Sequence, residues 1–98
     1  MRHPLLKRWI VLVADSEDPS GRVPLCGRFG AEVFLLAFRD LPGARRLSEQ
    51  AGGGQPVLCV QANLQALLAS LARLGASGVV VDWVPGQPTI EEAHALSA

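Results

Sequence analysis

The chain has 98 residues, 49% of them hydrophobic and only 18% charged, and its nine basic and nine acidic side chains cancel. A chain of this length fits a single α+β domain spanning 1–98, which buries somewhat more than ~60% of the surface its unfolded form exposes. Zero net charge removes the global field that would draw the protein to nucleic acid or an anionic membrane, and it weakens the repulsion that keeps copies apart.

The first eight residues carry three cationic side chains and run into the apolar stretch Trp9–Ala14. That stretch stops after six residues at Asp15, too early for the apolar region of a secretory signal, and no small-residue cleavage site follows. No segment approaches the ~20 apolar residues of a membrane span, so a cytoplasmic protein without a membrane partner is expected. Trp9–Ala14 reads as a first strand, closed by the turn-forming run from Asp15 to Gly21. Val23–Cys26 reads as a second, short strand, placed at an edge because Pro24 lacks a ladder donor. Gly27 and Gly30 then lead into Val33–Phe38, the strongest strand signal, which forms an antiparallel hairpin with the second.

Asp40 stands where a carboxylate caps a helix, with Pro42 tolerated in the first turn, and the helix runs to about Gln50. Gly52–Gly54 end it, and Val57–Gln61 form a fourth strand. Asn63 is read as the cap of a second helix, whose Leu64, Leu67, Leu68, Leu71 and Leu74 recur on one face before Gly75 stops it. Val79–Val84 is the fifth strand, and Thr89 with Glu92 forms a capping box for a short last helix through Ile90, Ala93 and Leu96. The expected architecture is a mixed sheet of about five strands in the order β-β-β-α-β-α-β-α, with helices packed on it. Helical connections between the third, fourth and fifth strands argue for parallel pairing among them.

The layout resembles the N-terminal domain of the enhanced-serine-sensitivity protein SseB and its bacterial relatives. The resemblance is carried by the segment Ala31–Asp40, by the Val60–Leu74 strand-to-leucine-helix unit, and by Gly78–Gly86 before Thr89–Glu92. It covers most of the chain. Relatives commonly place an asparagine before the proline that closes the last strand, where this chain has Val84. The resemblance implies the fold and no catalytic residues.

No motif specifies a reaction. Asp15, Glu17 and Asp18 lack calcium-loop spacing, and a solvated turn is the plainer account. Gly52–Gly54 has no following Lys-Ser or Lys-Thr, so a turn is favoured over a phosphate cradle. Arg45 and Arg46 read as solvated helix residues and His94 as a helix residue without an orienting partner. Cys26 and Cys59 lack zinc spacing and a paired histidine, and read as buried thiols. No metal, cofactor or enzymatic activity is expected.

Two functional readings follow. In the first, the chain is a non-enzymatic interaction module that homodimerises or docks on another protein, because its strands are apolar on both faces while few helices are available to cover them. Trp9, Phe38 and Trp83 are its candidate anchors. In the second, the carboxyl ends of three parallel strands gather Arg39, Asp40, Gln61, Asn63, Asp82 and Trp83 into a rim for an amino-acid-like or anionic metabolite.

Overall fold

The computed structural model describes residues 3–18 and 20–96, which contain seven strands and two helices. In chain order these are β1 (Trp9–Ala14), β2 (Arg22–Pro24), β3 (Cys26–Phe29), β4 (Glu32–Phe38), α1 (Leu41–Gln50), β5 (Gln55–Leu58), α2 (Gln61–Leu74), β6 (Ala76–Val81) and β7 (Ala93–Ala95). The α+β class and the mixed sheet are as expected. The strand count is higher than the expected five, and the order differs at the end.

β1 and β4 lie at the centre. One edge of β1 pairs antiparallel with β5, and Trp9 and Ile10 pair on the other edge with Phe38 and Ala37 of β4. Beyond that short contact the two strands diverge, and the segment from Arg22 to Phe29 fills the fork, β2 against β1 and β3 against β4. Leu25 sits at the vertex and bonds to both arms: its N–H donates to Val11 O (2.8 Å), and its carbonyl accepts from Leu36 N–H (3.3 Å). The expected second strand is thus two strands bent about Leu25. β2 has one ladder partner, in keeping with Pro24 inside it.

The other edge of β4 pairs in parallel with β6, and β7 closes that side antiparallel to β6. Among the described residues only β4 and β6 are parallel neighbours, because β1 separates β4 from β5. The last helix expected from Thr89 and Glu92 is instead strand β7. A helix of about eight residues is marginal in isolation, whereas the edge of β6 needs a partner for its backbone groups. The ladder to Ala93–Ala95, extended by Val81 N–H to Glu92 O (3.0 Å) and Leu96 N–H to Ser77 O (3.1 Å), satisfies them. Gly78 makes this approach possible, since a Cβ there would lie 2.5 Å from His94 O.

Alternation along the strands splits the apolar side chains between two faces. Ile10, Leu35, Ala37 and Val79 pack beneath Leu64, Leu67 and Leu71 of α2, with Leu5 and Cys59 completing that core. Val11, Leu36, Phe38 and Val80 pack beneath Ala44 and Leu47 of α1. The two helices therefore cover opposite faces. Each fully buried leucine or valine contributes roughly 1.5–3 kcal/mol. No helix among the described residues is long and apolar enough to cross a membrane.

Local chemistry sets the helix ends. Asp40 caps α1 as expected, its Oδ1 accepting from Gly43 N–H (2.9 Å), and Gly75 ends α2 in the left-handed conformation at φ 73°. Asn63 is not the first cap of α2, which begins at Gln61. It lies in the first turn, where its Oδ1 accepts from Val60 N–H (2.8 Å) and its Nδ2 donates to Leu58 O (3.0 Å).

Candidate functional site

Although β1 intervenes, β4, β5 and β6 all run the same way, so their carboxyl ends do reach one edge of the sheet. The proposed rim is divided there by the approach to β1. Lys7 N–H donates to Cys59 O (2.8 Å), Cys59 N–H donates to Arg8 O (2.8 Å), and Leu5 is fully buried. This segment runs between the exits of β4 and β5, where a purely parallel sheet would leave a crevice.

On one side, Gln61 lines a small hollow of about 230 Å³ with Leu6, Lys7, Cys59 and Val60, and Asn63 is spent on the first turn of α2. On the other, Arg39 and Asp82 meet. Asp82 Oδ1 accepts from Arg39 N–H (3.0 Å) and Oδ2 from Arg39 Nη1 (2.8 Å). A left-handed backbone at Asp82, φ 59°, turns its carboxylate to this position, and Asp82 N–H donates to Ala37 O (2.9 Å).

Two residues absent from the expected rim complete the cluster. Glu92 Oε1 accepts from Arg39 Nη2, and Glu92 Oε2 lies 2.8 Å from His94 Nε2. The legible signal was their i, i+2 spacing, which places both on one face of a strand once the segment is extended. With one guanidinium between two carboxylates, the cluster offers an anion net negative charge unless His94 is protonated. All four side chains are at least a quarter exposed, so the pairs are worth little individually. Among the described residues, no group of three or more His, Cys, Asp or Glu side chains is placed to hold a metal.

Other features singled out from the sequence are absorbed by local structure. Asp18 Oδ1 accepts from Ser20 Oγ (2.7 Å) and N–H (3.2 Å), bonds that hold its carboxyl below the ordinary range. Asp15 accepts from Glu17 N–H (3.0 Å), and Arg73 lines the same hollow as Asp15 and Glu17. These carboxylates shape a turn. In the glycine loop, Gly52 and Gly53 donate to Glu49 O (3.2 Å) and Ser48 O (2.9 Å). Those amides complete a helix C-terminus, whose carbonyl end disfavours an anion, although the adjoining hollow of about 410 Å³ also contains Arg22.

The α1 face is different. α1 has 10 residues against 14 in α2, and around it Trp9, Val13, Leu25, Phe29, Phe34 and Trp83 remain partly buried. Beside α1 lies a groove of about 390 Å³ lined by Leu25, Gly27, Leu36, Leu47, Gln50, Ala51, Trp83 and Pro85. Gln50 is its single polar side chain. Trp83 is held in place by an edge-on contact with Phe29 (centroids 4.8 Å apart) and by Nε1–H donating to Gln87 O (3.1 Å). Leu25 and Gly27 were missed as surface residues; their i, i+2 spacing with Phe29 puts all three on one face of the bent segment.

Among the three aromatic anchors, Phe38 requires correction. It is 2% exposed and sits in the core under α1, because the alternation of β4 turns it toward Ala44 and Leu47. Trp9 and Trp83 are half-buried at the margin of that core.

No protein-family model matches the chain, and no curated protein matches it.

Proposed function

We propose that the chain is a non-enzymatic protein-interaction module that forms a homodimer through the α1 face, with Trp83 at the centre of the contact. The observation that carries this reading is the apolar groove beside α1, walled by Trp83, Pro85 and Leu25 and containing one polar side chain. Large aromatics at the centre of a dry patch supply most of the binding energy in protein contacts. The balanced charge of the chain leaves no long-range repulsion between copies, so a second copy is the occupant that fits. A cytoplasmic location and the SseB-like layout belong to the same reading. The metabolite alternative gains no support from the rim, where Arg39 already faces Asp82 and Glu92.

Gln50→Arg tests the proposal without removing any packed side chain, since Gln50 is exposed at the end of α1. In light scattering at submillimolar concentration the native chain should show double its 10.4 kDa mass, and the variant should require at least about tenfold more protein to do so. A native chain that stays at the single-chain mass overturns the reading.

A further inference from the structure

We infer that β7 is an exchangeable strand, and that in the proposed homodimer each copy supplies its β7 to the β6 edge of the other. This rests on the reading of the chain as a homodimer and specifies how the two copies hold one another. Four observations carry it. First, all three residues of β7 are exposed, and among the described residues its only strand partner is β6. Few apolar contacts therefore tie it to its own chain, the half-buried Leu96 beyond it being the main one.

Second, the connector from Asp82 to Glu92 contains Pro85, Gly86 and Pro88, and several of its bonds are internal. Gln87 N–H donates to Val84 O (3.0 Å), Trp83 Nε1–H to Gln87 O (3.1 Å) and Gln87 Nε2 to Thr89 O (2.8 Å). With Asp82 anchored on Arg39 and Trp83 on Phe29, the eight residues from Val84 to Glu91 are long enough to swing outward, and exchange of an identical element is a low-cost route to a dimer.

Third, β6 demands a particular occupant. Val79, Val80 and Val81 are core residues, so β6 must stay in the sheet and its outer edge must remain paired. The close approach at Gly78 and the contacts of Glu92 with Arg39 and His94 define what fits: a small–x–small strand preceded by a carboxylate. The segment from Glu92 to Ala95 of a second copy reproduces every one of these contacts. Fourth, the connector itself carries Trp83 and Pro85, which line the apolar groove, so the exchanging segment and the proposed dimer face adjoin.

A cross-strand cysteine pair reads the connectivity directly. Val80 and Ala93 are register partners on β6 and β7, flanked by the bond from Val81 N–H to Glu92 O, the pattern of a non-hydrogen-bonded pair whose side chains are close. The full chain carrying Val80→Cys and Ala93→Cys is incubated at submillimolar concentration, oxidised, and run on a denaturing non-reducing gel, with the native chain as control for Cys26 and Cys59. Exchange predicts a covalent band at double mass whose share rises with concentration during incubation, together with a dimer in light scattering. A dimer in light scattering that runs at single mass on the gel overturns the exchange and leaves the homodimer standing. A monomer by both measurements overturns both. Should the valine replacement prevent folding, the pair Gly78→Cys and Ala95→Cys is unsuitable because of the crowding at Gly78. Native mass spectrometry of mixed isotope-labelled and unlabelled native chains then follows Glu92→Gln. Exchange predicts that this substitution raises the rate at which mixed dimers appear at least about threefold, and an unchanged rate overturns it.

Discussion

The two faces of the sheet are equally apolar in sequence and unequally covered in structure. On the α2 face, a 14-residue helix lays Leu64, Leu67 and Leu71 over Ile10, Leu35, Ala37 and Val79, and Leu5 closes the end. On the α1 face, a 10-residue helix contributes only Ala44 and Leu47 to the apolar core, leaving Trp83 and Leu25 along an open groove, with Phe29 packed edge-on against Trp83. The difference separates two roles that strand hydrophobicity alone cannot distinguish. One face is closed over by its helix, and the other keeps a buried core but leaves an apolar groove open beside its helix.

The largest effect should come from loosening the covered face. Leu71→Ala removes a side chain that is 2% exposed and should cost about 2–5 kcal/mol in urea unfolding. Trp83→Ala, although it deletes a larger side chain, should cost only about 1–2 kcal/mol, because Trp83 is half-buried at the margin of the α1-side core. If Trp83→Ala proved the more damaging of the two, the assignment of roles to the faces would be reversed.

Alkaline pH sharpens the contrast, because both cysteines belong to the α2 side. Burial pushes the Cys26 thiol up to about 11 and raises that of Cys59. Between the ordinary thiol pKa and about 11 the native state holds protons that the unfolded chain releases, so stability is constant below that window and falls as pH rises through it. Melting temperature followed from pH 8 upward should show this decline, and Cys26→Ala should flatten part of it. The smallest effect belongs to the charged cluster. Glu92→Gln should change global stability by less than about 1 kcal/mol while speeding hydrogen exchange at the Val81 and Leu96 amides, which bond across β6 and β7.

Features fixed by local chemistry were legible in the sequence. β1 and β4 are strongly apolar runs, Asp40 bonds the first turn of α1, and Gly75 takes the left-handed stop of α2. Pairing between distant strands was not legible. The T-x-x-E pattern at Thr89 is a sound local helix signal, yet the unpaired edge of β6 outweighs it and draws Ala93–Ala95 into the sheet. The division of the rim was hidden for the same reason. Nothing local in Trp9–Ala14 says that it inserts between β4 and β5, bringing the chain from Leu5 to Arg8 through the place where a ligand crevice was expected. Arg39 and Asp82 were placed together correctly, but Glu92 and His94 became visible only once the last segment was extended.

In the proposed homodimer two copies meet through the α1 face, and Trp83 reports on that contact. In a chain carrying Trp9→Phe, Trp83 is the only tryptophan. Its fluorescence, with iodide quenching, can be followed as protein concentration is raised from low micromolar to submillimolar. Burial of Trp83 between two copies predicts a blue shift and a loss of quenching that track the appearance of the dimer in light scattering. A dimer that forms while Trp83 emission and quenching stay constant would contradict it.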